Sequence, residues 1–248
     1  MFFPSYKPML DIQDLSVQVW NKDVLHHITT HFECGRNYCL LGKNGSGKSS
    51  LALTVMGHHD YHIQSGDIVC DGVSILDMGP DQRAKAGIFL AFQTIPEIKW
   101  VKLFEFLRST YNSINNVSET FLSFKKIILP LLEELSIDKE FLWRDLNVWF
   151  SGWERRKIEI LQLRLLKPKY IFLDEVDSGL DVDAFKAVAK LIATINNPDN
   201  TFVIITHYFG ILDYVPVDEV IVLSDGTITK QWDVSLARAI QSQGFEIE

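Results

Sequence analysis

The segment from Gly42 to Ser49, which reads Gly-Lys-Asn-Gly-Ser-Gly-Lys-Ser, constrains the fold of this 248-residue chain more than any other feature. It matches the pattern G-x-x-x-x-G-K-S/T, and it lies between the apolar strand Tyr38–Leu41 and a helical pattern over Ser50–Met56. Glycines in such a loop permit tight turns that leave N–H groups pointing into a phosphate-sized cavity, beside the positive end of the following helix. The motif therefore predicts an α/β fold with a phosphate-binding loop after a central strand.

Short apolar runs alternate with helical patterns along most of the chain, which predicts a mainly parallel central sheet. Tyr170–Leu173 and most of Thr201–Ile205 are apolar at every position, as strands buried on both faces must be. Further strands are predicted at Met9–Val19, Val24–Phe32, Arg36–Leu41, Asp67–Cys70, Ile88–Ala91 and Glu219–Leu223.

The middle of the chain has a different pattern. From about Lys102 to Lys167 the strand signals stop, and helical periodicity is present in Phe121–Leu135 and Trp153–Leu166. Since strands on both sides of this segment are needed to complete one sheet, we predict one domain over 1–248. Its α/β core comprises residues 1–100 and 168–248, and a helical lobe is inserted at about 101–167.

The amino-acid composition of the chain limits the classes of molecule that it is expected to bind. The formal net charge of −8 disfavours binding to nucleic acid, because an acidic surface repels phosphate backbones. The basic cluster Arg155-Arg156-Lys157 is expected to be a solvated helix face. No run approaches the ~20 apolar residues of a membrane span, no secretory signal is present, and the three cysteines lack metal-ligand spacing. We therefore predict a cytoplasmic protein with no membrane span of its own.

The chemistry is predicted at the ends of two strands. Lys48 is expected to reach the β- and γ-phosphates of a nucleotide, and the Ser49 hydroxyl is expected to ligate Mg²⁺. Asp174, at the end of the second strand, is directed at the metal, and Glu175 can polarise the attacking water. An apolar strand ending in Asp-Glu is common by itself, but downstream of a phosphate-binding loop the catalytic interpretation is favoured. The predicted nucleotide-binding residues in the loop and its helix are Gly42, Lys43, Asn44, Gly45, Ser46, Gly47, Lys48, Ser49 and Ser50.

Three further positions carry weaker signals. Ser151 followed by Glu154 forms a capping-box pattern, which explains both residues structurally. The same helix start, including Gly152, could instead present N–H donors to a phosphate, and the spacing leaves the two interpretations open. Gln93 and His207 each follow a predicted strand, where a lone polar residue is usually a satisfied surface group.

Taken together, these segments resemble the ABC ATPase family in their order along the chain. The matching segments are the phosphate loop at 42–49, Gln93, the signature segment 150–154, the strand with its carboxylates at 170–175, the loop 178–181 and His207. The resemblance implies an antiparallel β subdomain beside the core, hydrolysis of ATP with Mg²⁺, and an ATP-dependent head-to-tail homodimer.

The resemblance also implies a role for each remaining residue. Gln93 would contact the metal and the γ-phosphate and couple the site to a partner protein, and His207 would contact the γ-phosphate during catalysis. Ser151 and Gly152 would bind the nucleotide held by the opposite subunit, and Asp181 would line the seam of the dimer. The aromatic residue that commonly stacks on adenine maps to Val19, next to Trp20, so this contact is not assigned.

A closer resemblance is to SufC-type ATPases of the SUF iron–sulfur cluster assembly system. It is carried by segments 87–93, 150–152, 174–184 and 206–208, with Ile211-Leu212-Asp213-Tyr214. It implies scaffold partners of the SufB/SufD type, which ATP-driven dimerisation would remodel. Two alternatives are the nucleotide-binding subunit of a membrane transporter and a slowly hydrolysing, nucleotide-dependent assembly module.

Two tryptophans depart from the family pattern. Trp153 stands where the signature usually has its second glycine, and Trp149 replaces a further glycine of the SUF pattern. One hypothesis is that the Trp153 indole hinders closure of the dimer, so that its replacement by glycine would raise turnover. The alternative is that the rings of Trp149 and Trp153 pack on each other and turn away from the seam.

Overall fold

The computed structural model describes residues 7–206 and 209–232, and these residues form an α/β domain built on three sheets. The strands in these residues are β1 (Met9–Val19), β2 (Lys22–Glu33), β3 (Tyr38–Leu41), β4 (Tyr61–Cys70), β5 (Val73–Ser74), β6 (Ile88–Ala91), β7 (Ile98–Lys102), β8 (Asp145–Leu146), β9 (Tyr170–Asp174), β10 (Thr201–Ile205), β11 (Glu219–Ser224) and β12 (Thr227–Trp232). The α-helices are α1 (Lys48–Met56), α2 (Pro80–Lys85), α3 (Leu103–Asn115), α4 (Phe121–Glu134), α5 (Gly152–Leu166) and α6 (Val182–Ile195).

The central sheet has six strands in the order β12-β11-β3-β10-β9-β6. All neighbours in it run parallel except β11 and β12, which pair antiparallel. The predicted mainly parallel sheet is therefore confirmed. The strand that precedes the phosphate-loop motif lies in its interior, so that the motif emerges at the carboxyl edge, where α/β proteins bind ligands.

Alternate side chains of the central strands enter two different cores. On β9, Ile171 and Leu173 belong to the core shared with α3–α6, whereas Tyr170 and Phe172 belong to the core shared with α1 and the antiparallel sheet. This two-sided burial is the reason why the strand is apolar at every position.

The antiparallel sheet, in the order β2-β1-β4-β5, is the β subdomain that the resemblance implied. It is joined to the central sheet by an edge-on aromatic cluster. The Phe32 ring lies 5.0 Å from that of Tyr38 and 5.7 Å from that of Phe172, with interplanar angles of 86° and 85°. This packing connects β2 to the strand that carries the phosphate-loop motif.

Residues 103–166 are mostly helical, but the expectation that strands are absent there was wrong. β8 lies inside this segment and pairs antiparallel with β7, where Trp100 N–H and Lys102 Nζ both donate to Asp145. A two-residue strand is too short to produce a detectable alternation. The prediction also placed Arg36 in a strand, whereas β3 begins at Tyr38, and β5, β7 and β12 were not anticipated.

Candidate functional site

The phosphate-loop motif connects β3 to α1, and close backbone packing requires two of its glycines. A Cβ at Gly42 would lie 2.3 Å from the Leu223 carbonyl oxygen, and one at Gly47 would lie 2.9 Å from Leu25 Cδ2. Gly47 also has φ 106° and is the N-cap residue of α1, a conformation that L side chains rarely adopt. Any side chain at these two positions would push the loop away from the sheet, so the glycines hold its amides at the helix start.

A cavity of about 320 Å³ opens above this loop. Its lining consists of Asn44, Gly45, Ser46, Gly47, Lys48, Ser49, Ser50, Gln93 and Glu175. The structure thus brings most of the predicted nucleotide-binding residues to one place. Among the described residues, none pairs with the buried Ser46 hydroxyl. Trp20, by contrast, lies at the β1–β2 turn with 82% of its surface exposed and does not line this cavity.

Lys48 is buried under the loop, with only 5% of its surface exposed. Its Nζ donates to the carbonyl oxygens of Gly42, at 2.8 Å, and Lys43, at 3.1 Å. Burial lowers the pKa of Lys48, and the nearby carboxylates of Glu175 and Asp174 oppose that shift. A buried ammonium group beside main-chain amides can bind the phosphates of a nucleotide. The phosphate oxygens accept the hydrogen bonds that these donors would otherwise make to water.

Ser49 and Asp174 meet across the sheet edge. The Ser49 hydroxyl donates to Asp174 Oδ1 at 3.0 Å, although 125 positions separate the two residues in the chain. Burial raises the pKa of Asp174, while the Ser49 hydrogen bond and the charge of Lys48 favour the ionised form. A hydroxyl and a carboxylate are oxygen ligands of the kind Mg²⁺ prefers, so these two residues would hold the ion against the nucleotide phosphates, where it would neutralise charge.

Glu175 adopts a left-handed backbone conformation with φ 47°. Its N–H donates to the Ile205 carbonyl at 2.9 Å, and its Oε2 accepts a 2.6 Å hydrogen bond from Gln93 Nε2. Such a conformation is unfavourable for a residue with a Cβ and persists only when the surroundings impose it. The structure therefore places the predicted general base and Gln93 in direct contact at the mouth of the cavity.

Of the predicted residues that lie outside this cavity, three are at the starts of α5 and α6. Ser151 is the N-cap of α5 and forms the predicted capping box: its N–H donates to Glu154 Oε2 at 2.7 Å, and its Oγ accepts from the Glu154 N–H at 3.3 Å. Asp181 likewise caps α6 by accepting from the Ala184 N–H at 2.8 Å. A Cβ at Gly152 would lie 3.9 Å from Leu180, so these residues share a surface outside the cavity. His207 lies outside the described residues.

The two tryptophans occupy different surroundings, and they do not pack on each other as one hypothesis expected. Trp149 is 86% exposed and has φ 62°. Trp153 is half-buried against the helical core, and Lys157 Nζ lies 5.0 Å from its ring centroid. The Phe150 ring packs against Phe141 at 4.7 Å. The two indoles therefore lie in different environments, that of Trp149 in solvent and that of Trp153 against the helical core.

The expectation that Arg155-Arg156-Lys157 is a solvated face was wrong for its middle residue. Arg156 is 4% exposed and lies 2.6 Å from Glu159, which is 6% exposed. Burial raises the pKa of Glu159 to about 7, against the opposing effect of the Arg156 charge. The spacing of three residues between opposite charges on a mostly apolar helix is the signal that could have revealed this pair.

We expect Lys48→Ala to weaken ATP binding by about a hundred-fold or more, since two charge-assisted hydrogen bonds of ~1.5–3 kcal/mol each are lost. Titration with a fluorescent ATP analogue would measure this. The exposed Lys126→Ala serves as the control for removing one positive charge. Equal affinity in the two variants would contradict the phosphate-loop assignment.

We expect Glu175→Gln to retain ATP binding and to lower turnover by about 10²–10⁴-fold, because the amide cannot accept a proton from water. Release of inorganic phosphate at saturating ATP is the measurement. The ATP-bound variant should also accumulate as a dimer in size-exclusion chromatography. Glu140→Gln, which changes an exposed carboxylate in the helical segment, is the control. Near-normal turnover in Glu175→Gln would exclude it as the base.

We expect replacement of Trp149 and of Trp153 by glycine to have different effects on stability and on turnover. Trp149→Gly should leave the fold intact or stabilise it, because a side chain with positive φ costs roughly 1–2 kcal/mol. The same variant should increase ATP-dependent dimerisation and turnover. Trp153→Gly should lower the free energy of unfolding by about 1–3 kcal/mol through lost packing, without a gain in turnover. Urea unfolding and phosphate release test both. Higher turnover in Trp153→Gly alone would instead support the earlier steric hypothesis for Trp153.

Comparison with known proteins identifies the family of this chain. A sequence profile of the family described as "ABC transporter" matches residues 25–178. The chain is 41% identical over 242 residues to "Probable ATP-dependent transporter ycf16" of Pyropia yezoensis, and the match covers 96% of each chain. It is 38% identical over 240 residues to "Vegetative protein 296" of Bacillus subtilis (strain 168), covering 96% of this chain and 92% of that one.

Solved structures share the fold at lower identity. A dimeric ATP-binding cassette in a post-hydrolysis state, bound to ADP and Pi, superposes with a TM-score of 0.77 at 17% identity, covering 91% of this chain and 98% of that one. The ATP-binding subunit of an ABC transporter superposes with a TM-score of 0.77 at 23% identity, covering 97% and 95%. No helix in residues 7–206 and 209–232 is long and apolar enough to cross a membrane. From its sequence and its fold, the chain belongs to the ABC transporter family, and it is an ATPase that uses ATP and Mg²⁺.

Proposed function

We propose that this ATPase is the energy-converting subunit of a SUF-type iron–sulfur cluster assembly complex, with scaffold partners of the SufB/SufD type. The observation that carries the proposal is a contact between two of the segments that resemble SufC. The Thr206 hydroxyl lies 3.2 Å from each carboxylate oxygen of Asp177. Segment 174–184 is thus in contact with Thr206, the first residue of segment 206–208, beside the predicted general base, which makes the joint resemblance of the two segments more specific than two separate matches.

Within this proposal each group of cavity residues has its own role in ATP hydrolysis. Lys48 and the loop amides hold the phosphates, Ser49 and Asp174 hold the magnesium ion, and Glu175 accepts the proton of the attacking water. Gln93 contacts the metal and the γ-phosphate, and releases or orients Glu175 through their hydrogen bond.

The remaining predicted residues act between two copies of the chain. Ser151 and Gly152 face the nucleotide of the opposite subunit in an ATP-dependent head-to-tail homodimer, and Asp181 lines the seam. His207 contacts the γ-phosphate. The exposed helix start of α5 and its closeness to Leu180 support a shared docking surface.

The scaffold is proposed to dock in an apolar groove of about 450 Å³ that begins directly beside Gln93. Residues that line it include Phe89, Phe92, Ile98, Phe106, Ile114 and Leu146. Phe92 and Ile98 are each 39% exposed, so the groove presents apolar side chains to solvent. Because Phe92 lines the groove and the next residue, Gln93, lines the cavity, an apolar element seated in the groove would act on Gln93 through the backbone.

A role as the ATPase of a membrane transporter is the second candidate. The similarity to the Pyropia yezoensis protein, a probable ATP-dependent transporter, favours it. In that case the same groove would receive a permease subunit. A third candidate is an assembly module that binds ATP and dimerises but hydrolyses slowly, which the exposed Trp149 beside the signature helix favours.

The groove separates these candidates experimentally. We expect Ile114→Glu to abolish co-elution with purified scaffold of the SufB/SufD type, because a charge buried in an apolar contact is strongly unfavourable. Ser113→Glu places the same charge on the exposed side of α3 and should leave co-elution intact. ATP affinity should be equal in both variants. If the unmodified chain binds detergent-solubilised permeases and no such scaffold, the SUF assignment is wrong and the transporter assignment stands.

A further inference from the structure

The buried side chain of Arg156 contacts the two loops that carry Gln93 and Glu175. Its Nη1 donates to the Phe92 carbonyl at 2.8 Å, and its Nη2 donates to the Gln93 carbonyl at 3.1 Å and to the Glu175 carbonyl at 3.4 Å. All three acceptors are main-chain groups at the ends of β6 and β9, where the strand ladder stops. One side chain of α5 therefore replaces the missing backbone partners of both loops.

Glu159 orients this guanidinium from the next turn of the same helix. Its Oε2 accepts from Arg156 Nη1 at 2.6 Å, and its Oε1 accepts from the Phe92 N–H at 3.2 Å. Both main-chain polar groups of Phe92 are thus held by the Arg156–Glu159 pair. The side chains of the pair are 5% and 8% exposed, so the ion pair itself is shielded from water.

A buried ion pair of this kind is a poor way to gain stability. Desolvation of the two charges offsets most of their attraction, and apolar side chains of similar volume would fill the same space at equal or lower cost. A planar guanidinium, in contrast, holds several acceptors at defined angles at once. The pair is therefore better explained by its holding of several carbonyl groups at defined angles than by a contribution to the free energy of unfolding.

We propose that Arg156, oriented by Glu159, is a positioning residue for ATP hydrolysis. It fixes the backbone on both sides of the Gln93–Glu175 hydrogen bond, so that these two side chains move with the signature helix α5. When α5 shifts, the guanidinium carries the loop of Gln93 and the strained residue Glu175 with it. The proposal depends on the ATPase activity alone and is independent of which partner binds the groove.

Arg156→Lys is the test, because lysine keeps the charge beside Glu159 but cannot reach three carbonyls with one ammonium group. We expect kcat to fall about ten-fold or more while KM for ATP and the affinity for a fluorescent ATP analogue stay within about two-fold. Glu159→Gln, which is isosteric, should give a smaller loss of kcat in the same assay. Arg164 lies on the same helix as Arg156 and forms a partly exposed ion pair with Glu134 of α4. Arg164→Lys should leave kcat unchanged.

A double-mutant cycle with Gln93→Ala distinguishes positioning from a general structural role. If Arg156 acts through Gln93, the effect of Arg156→Lys on kcat should shrink several-fold in the Gln93→Ala background. Additive effects, or an unchanged kcat in folded Arg156→Lys, would overturn the proposal. Should Arg156→Lys fail to fold, Glu159→Gln is carried through the same cycle with the same criteria.

Discussion

The parallel pairing of β3, β10 and β9 is the interaction on which the rest of this structure depends. In this register Ile205 lies opposite Leu40 on one side and opposite Asp174 on the other, so the three strands end at the same level. The loops that follow them must then emerge together at one edge. The hydroxyl–carboxylate contact of Ser49 with Asp174 and the main-chain bond from Glu175 to Ile205 are direct results of that alignment.

A second constraint comes from the ends of the strands themselves. Where β6 and β9 stop, their carbonyl groups lose ladder partners, and a carbonyl left both buried and unmatched would cost roughly 1–3 kcal/mol. The guanidinium of Arg156 meets these acceptors from the helical segment. The same contacts that satisfy the backbone thereby connect α5 to the sheet edge that carries Gln93 and Glu175.

The two tryptophans near the start of α5 show how one kind of sequence change can have two physical outcomes. Both replace residues that are small in the pattern that this chain resembles. Trp153 lies within the capping box, between Ser151 and Glu154, and its ring packs on the helical core beside Lys157. Trp149 precedes the cap in a left-handed conformation with its side chain in solvent. The exposed bulk near the start of α5 therefore comes from Trp149.

Much of the fold and the centre of the site follow from the sequence alone. Local rules sufficed there: a glycine-rich loop between an apolar strand and a helix, strands apolar at every position, and a Ser-x-x-Glu cap at Ser151. These patterns predicted the parallel sheet, the cavity residues and the start of α5, because each depends on neighbours within a few positions. Short elements such as β8 could not be predicted, since two residues carry no measurable periodicity.

Only the tertiary structure decided what depends on distant partners. It buried Arg156 against carbonyls more than 60 positions away, although its neighbours in sequence are basic and suggest a solvated face. It also separated Trp149 from Trp153 and joined Gln93 to Glu175 across 82 positions. The physical reason is the same in each case. The sequence determines which side chains need a partner, but the three-dimensional packing determines which partner is within reach.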